Sequence, residues 1–207
     1  MRSNALRRRL LLAACGLGLS TTLRTRAGTD TRAIDAARSS HFPFGPVAPP
    51  RAIPAWPVIT SSGHSTNLAA LLAGRVTALQ LMFTGCNATC PIQGALFGQT
   101  QQQLAHEPDA QLISISIAPL ADTPAALRAW LRKFDAGPCW IGVQPRPEDL
   151  QPILDLLTRG AEAQPVGPDP HTGQVYIANR RGELVYRTPS MPPAAKIVEA
   201  LRSVAAH

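Results

Sequence analysis

Aromatic side chains make up only 5% of the 207 residues and charged ones only 16%. This is not the charge-rich, apolar-poor composition of a chain disordered throughout, nor the glycine-periodic one of collagen. Four cysteines are too few for a disulfide-built miniprotein. There is no internal repeat, and no second long apolar run follows the one at the N-terminus. The net charge of +7 is unevenly spread. Residues 1–38 hold eight arginines and two aspartates, whereas residues 39–207 hold twelve basic and eleven acidic side chains. The later residues have no Lys/Arg cluster interleaved with aromatics, so nucleic-acid binding has no support. What remains is enough chain for one ordinary domain, of a size that buries most of its apolar surface, behind a basic leader.

The leader reads as targeting. Arg7, Arg8 and Arg9 run straight into Leu10-Leu11-Leu12-Ala13-Ala14, and the apolar stretch lasts to about Leu23. A basic start and a short apolar run fit a secretory signal, and the run is shorter than a bilayer span requires. The arginine pair followed by one residue and two leucines is similar to a bacterial twin-arginine signal. Leu12-Ala13-Ala14-Cys15 is similar to a lipobox, with Cys15 as the lipidated residue. Residues 1–28 are therefore expected to be a signal peptide or membrane anchor. Cleavage, lipidation and a retained anchor all remain open, and each puts the domain outside the cytoplasm. Residues 29–56, rich in Arg, Pro, Ser, Thr and Gly, have the composition of a flexible linker.

Residues 57–207 alternate strand and helix signals. A short strand and a turn at Ser62-Gly63-His64 open the domain. The compact apolar run 78–83 suits a buried strand. Thr84 to Cys90 is a loop, and Pro91 suits the first position of a helix reaching about Ala105. The segment 111–117 is a second β-branched strand. Thr123 before Pro124 starts a helix whose Leu127, Trp130, Leu131 and Phe134 share one face. Leu150, Ile153, Leu154 and Leu157 repeat that spacing. Residues 174–178 and 183–187 flank a tight turn at Asn179–Gly182, and Ile197, Val198, Leu201 and Val204 mark a last helix. With one further strand before the Leu150 helix, this is an α/β pattern: a mixed sheet with helices on both faces. Sites in such sheets form beyond the carboxyl ends of strands, where Cys86 and Cys90 lie.

Cys139, alone before Trp140, reads as a small buried hydrophobe. Cys86 and Cys90 are spaced to close a disulfide or to face one metal ion. A bridge over so short a loop stabilises weakly. Cys90 is expected at the N-cap of the following helix, whose positive end favours a thiolate. Of five histidines, His41, His64, His106 and His207 fall in linker, turn, helix end and terminus. His171 directly precedes an inner strand, and Asp169 is placed either to orient its ring or to start a turn.

Three segments together resemble the Sco family (also called SenC or PrrC), copper chaperones for cytochrome oxidase assembly. They are Phe83-Thr84-Gly85-Cys86-x3-Cys90-Pro91, Ile115-Ser116-Ile117-Ala118-Pro119-x2-Asp122-Thr123-Pro124, and His171-Thr172 ahead of Tyr176-Ile177 and Gly182. They fall in the family's order over about residues 57–205. The sequence departs from the family pattern at Asn87 and Ala118, where Pro and Asp are usual, and at Pro170, which separates Asp169 from His171. The resemblance implies a thioredoxin-like fold and a copper site of Cys86, Cys90 and His171. It implies a bacterial periplasmic location, with a membrane tether through the N-terminus as one form of it. It also implies delivery of copper to the binuclear centre of cytochrome c oxidase subunit II or a related copper protein. Other periplasmic copper chaperones or thiol reductants are further candidate partners. Such a site holds Cu(I) or Cu(II), since thiolates favour the first and imidazole also suits the second. The expectation is a binding protein rather than an enzyme. The competing reading is a periplasmic thiol-disulfide oxidoreductase using Cys86 and Cys90 as its redox pair. A thiol peroxidase lacks its Thr-x-x-Cys context at Cys86.

Overall fold

In chain order the elements are β1 (Gly45–Ala52), β2 (Pro57–Thr60), β3 (Ser65–Asn67), α1 (Leu68–Leu72), β4 (Val76–Met82), α2 (Thr89–Gln103) and β5 (Ala110–Ser116). They continue with α3 (Pro124–Arg132), β6 (Trp140–Pro145), α4 (Pro147–Thr158), β7 (Val175–Ala178), β8 (Glu183–Arg187) and α5 (Ala194–Ala205). The computed structural model describes residues 43–159 and 172–206, all within one unit of the chain, Ser40–His207. The leader with Cys15, His41, the Asp169–His171 segment and His207 lie outside the described residues. Among the described residues no helix is long and apolar enough to cross a membrane.

All eight strands join one sheet in the order β1-β8-β7-β4-β5-β6-β2-β3. β4 pairs in parallel with β5, and β5 with β6, so helical crossovers are required between them. The remaining neighbours run antiparallel. Every residue of β4 and β5 is buried, as central strands covered on both faces must be. Successive side chains alternate between those faces. Val76, Ala78 and Met82 of β4 and Leu112 of β5 pack with Phe97 of α2, Leu127 and Trp130 of α3, and Ile197 and Leu201 of α5. Leu79, Leu81, Ile113 and Ile115 pack with Leu68 and Leu72 of α1 and with Ile153, Leu154 and Leu157 of α4. The expected mixed sheet with helices on both faces is therefore present, and the fold is thioredoxin-like.

Local chemistry explains several boundaries. Thr123 caps α3 by accepting from the Ala126 N–H at 3.2 Å, with Pro124 in the first turn. The β7–β8 turn closes on Asn179, whose Oδ1 accepts from the backbone N–H of Arg181 and Glu183. Gly182 completes it at φ +73°, a conformation that favours glycine.

The stretch read as linker is partly strand. β1 occupies Gly45–Ala52 and pairs with β8 from Gly45↔Arg187 to Ala52↔Glu183, with a register shift between Pro46 and Arg51. Val47 within it and Ile53 directly after it are buried. Proline is tolerated because this is an edge strand with an irregular register. The folded part therefore begins well before residue 57.

Candidate dithiol site

β4 ends at Met82, and the chain turns through Phe83, Thr84 and Gly85 before α2 begins. The Cys86 N–H donates to the Phe83 carbonyl at 3.2 Å, which closes this turn. Helix α2 starts at Thr89, so Cys90 is its second residue and Pro91 its third. The N-cap is Ala88, not Cys90, and it makes no side-chain cap bond. The expected roles of the two sulfurs are thereby exchanged. Cys90 points into the core at 2% exposure, among Met82 and Phe97. Cys86 stands outside the helix start and receives the Cys90 backbone N–H at 3.4 Å. The Thr89 hydroxyl lies 3.9 Å from the same sulfur.

The electrostatic result is a pair of unlike thiols. Partial burial pushes the Cys86 thiol up, but bonds from the Cys90 N–H and thiol, the Ala88 N–H and the Thr89 hydroxyl outweigh it and bring it down to about 6. Burial raises the Cys90 thiol to about 11, and the neighbouring Cys86 adds to that rise. At neutral pH Cys86 is mainly thiolate and Cys90 is protonated. A helix N-terminus with unbonded N–H groups is a well-understood cause of such a low-pKa cysteine.

One carboxylate braces this loop. Asp122, between β5 and α3, is 1% exposed. Its Oδ1 accepts from the Thr84 N–H at 3.0 Å and the Thr84 hydroxyl at 2.5 Å. Its Oδ2 accepts from the Ser116 hydroxyl at 2.7 Å and lies 3.3 Å from the Thr84 nitrogen. Among the described residues no basic side chain pairs with it. In the sequence Asp122 stands out only as part of the Ile115–Pro124 segment. Its partner lies 38 residues away, and no local pattern marks that contact.

The structure brings Cys86 and Cys90 together. His171 lies outside the described residues. The chain is well held immediately after it. Thr172 is buried, its hydroxyl lies 2.9 Å from the Tyr176 hydroxyl, and its carbonyl accepts from the Ser190 hydroxyl at 2.8 Å. His64 and His106 are exposed, in the β2–β3 turn and beyond α2. Cys139 is half-buried rather than buried, and burial raises its pKa. Among the described residues no three His, Cys, Asp or Glu side chains group closely enough to hold a metal ion.

The loops carrying the site are nearly uncharged. Residues 83–94 contain no Asp, Glu, Lys, Arg or His, and in 117–126 the one such residue is the buried Asp122. Ile92, in the first turn of α2, and Leu120, on the loop after β5, are exposed at 55% and 88%.

The site is thus a dithiol on a thioredoxin-like domain, with one cysteine ahead of a helix and the second inside it. The sequence model of the SCO1/SenC family matches residues 48–206. The chain belongs to the SCO1/SenC family. A protein of Stutzerimonas stutzeri named as copper-binding is 30% identical over 189 residues, covering 87% of this chain and 81% of that one. Among solved structures, a SCO1/SenC family lipoprotein from Bacillus anthracis matches at TM-score 0.63 and 22% identity, over 77% of this chain and 99% of its own. Bradyrhizobium japonicum ScoI, solved with copper bound, matches at TM-score 0.58 and 18% identity, over 76% and 99%.

Proposed function

We propose that this protein binds one copper ion through Cys86, Cys90 and His171 and passes it to the binuclear copper centre of cytochrome c oxidase subunit II or a related copper protein. The observation that carries this reading is the Cys86–Cys90 pair at the start of α2, in a member of a family whose relatives include copper-binding proteins. The donor set fits the ion. Two sulfurs brought together at the start of α2 are soft ligands suited to Cu(I), and an imidazole extends the set to Cu(II). Copper here is cargo. Cys86 offers a ready thiolate, Cys90 gives up its proton when the ion arrives, and a partner's own ligands then replace them one at a time. The uncharged rim with Ile92 and Leu120 suits contact with a protein rather than capture of a charged small molecule. We place the protein outside the cytoplasm, in a bacterial periplasm, on the strength of its leader.

The unlike thiols favour a second reading, a thiol-disulfide reductase. The Cys86 thiolate would attack a target disulfide, releasing one target thiolate and forming a mixed disulfide. Cys90, losing its proton, would then displace the second target sulfur. The target gains two electrons and the pair ends as a Cys86–Cys90 disulfide.

Copper titration of the reduced full-length chain, followed by absorption and EPR spectra, separates the two. The chaperone reading expects one tight copper per chain, with sulfur-to-Cu(II) charge transfer lost in Cys86→Ser and Cys90→Ser. It expects His171→Ala to weaken Cu(II) retention. Absence of tight copper, with a readily reversible Cys86–Cys90 disulfide, leaves the reductase as the better account. Unchanged Cu(II) affinity in His171→Ala removes that residue from the ligand set.

A further inference from the structure

We propose that Asp122 is the positioning residue of the dithiol, holding Thr84 so that Cys86 is presented to the start of α2. The Asp122 carboxylate bonds to Thr84 and Ser116 and to neither sulfur, and it acts through the turn that carries Cys86. Three observations support this. First, the carboxylate is almost wholly buried with no basic partner among the described residues, a placement that is unfavourable unless its bonds serve the fold or the site. Second, helix α3 does not need it, because Thr123 already supplies the cap. Third, three of its four contacts converge on one residue, Thr84, through both backbone N–H and hydroxyl. The fourth ties it to Ser116 at the end of β5, whose hydroxyl also accepts the Ala118 N–H.

Thr84 is two residues from Cys86, inside the turn closed by the Cys86 N–H and Phe83 carbonyl. β4 and β5 pair in register up to Met82↔Ser116, so Asp122 links the loops leaving two neighbouring strands. A backbone N–H gripped at both carboxylate oxygens has little freedom to rotate. Loss of the carboxylate frees Thr84, and the geometry of the Cys90 N–H on the Cys86 sulfur loosens with it. The inference concerns placement of the Cys86 sulfur, which copper holding and thiol exchange both require. It goes beyond the proposed function and does not depend on which of the two readings stands.

The test is alkylation of the reduced full-length protein by iodoacetamide at neutral pH, with each cysteine quantified by mass spectrometry. A thiolate displaces iodide, so the rate at Cys86 reports how well that sulfur is presented as thiolate. Cys139 precedes β6 at the opposite end of the sheet and is the internal standard. Asp122→Ala is expected to slow Cys86 about tenfold against Cys139, the size expected for losing charge-assisted bonds. Asp122→Asn keeps an acceptor oxygen for Thr84 and is expected to restore the rate to within about twofold. Thr84→Val, which keeps the N–H bond and loses the hydroxyl, is expected to fall between them. A lowered melting temperature in Asp122→Ala with an unchanged Cys86 rate would reduce Asp122 to a structural brace and overturn the proposal. If Asp122→Ala does not fold, Thr84→Val decides: slower alkylation of Cys86 supports the proposal and an unchanged rate overturns it.

Discussion

The backbone N–H of Cys90 donates to the sulfur of Cys86 at 3.4 Å, so one cysteine activates the other through the main chain. Against partial burial, which raises it, this bond together with those from the Cys90 thiol, the Ala88 N–H and the Thr89 hydroxyl lowers the Cys86 thiol to about 6, from an ordinary value of about 8.5. Alkylation of Cys86 in the reduced protein should follow a titration curve centred near 6, while Cys90 stays unreactive until strongly alkaline pH. The same shift has a stability consequence of fixed sign. Because the folded pKa is depressed, the stabilisation is fully present above about 8.5 and is lost as pH falls through about 6. The melting temperature of the reduced wild type, compared with Cys86→Ser, should therefore decline between those two values. A flat difference would show that the helix start does not favour the thiolate.

Unlike thiols also predict the proton balance of copper binding. At a pH between about 7 and 8, Cys86 has already lost its proton and Cys90 has not. Calorimetric titration with Cu(I) in buffers of different ionisation enthalpy should then report about one proton released per copper bound. Release of about two would mean that Cys86 is protonated before binding, contrary to the geometry at the start of α2.

Gly94, one turn beyond Cys90, permits a close approach of α2 to the aromatic cluster. A Cβ there would lie 2.4 Å from two ring carbons of Phe134. That ring is held between Trp130, at a centroid distance of 4.9 Å, and Trp140, at 6.1 Å. Alanine favours a helix over glycine by about 1 kcal/mol, but overpacking costs about 1–3 kcal/mol. Gly94→Ala is therefore expected to destabilise the protein by about 1 kcal/mol in denaturant unfolding, against the direction of helix preference. A stabilised variant would mean that the Phe134 ring yields.

What could be read from the sequence was local. The apolar runs of β4 and β5, the Thr123-Pro124 helix start and the Asn179–Gly182 turn each rest on chemistry within a few neighbouring residues. The Cys86–Cys90 spacing was equally visible. Features that depend on a distant partner were not. β1 has the composition of a linker, and it becomes a strand because β8 offers it an edge. The polarity of the dithiol turned on where α2 begins, and a start at Thr89 rather than at Pro91 gave the activating N–H to Cys86. Asp122 and Thr84 are 38 residues apart, and only the pairing of β4 with β5 brings them together.

Arg187 is a second such long-range residue and yields the last prediction. It sits in β8 at 4% exposure, with no carboxylate against it among the described residues. Its guanidinium instead donates to the carbonyls of Leu157 at 2.5 Å, Leu156 at 3.2 Å and Arg159 at 2.9 Å. These are carbonyls at the C-terminal end of α4, which lack partners within the helix and carry its negative pole. Burial, with a smaller effect from Arg51, lowers the Arg187 pKa to about 10, so the group remains charged at neutral pH. Arg51 adds a single bond to the Arg159 carbonyl at 2.7 Å. Replacing Arg187 by Met keeps much of the length and apolar stem but orphans buried carbonyls, for an expected loss of about 2–4 kcal/mol. Arg51→Met removes one bond to a carbonyl that Arg187 still holds, and should lose about 1 kcal/mol or less. Chemical denaturation of the two variants beside wild type measures the difference. Equal losses would show that the three carbonyls do not depend on the buried guanidinium, and that Arg187 contributes by packing alone.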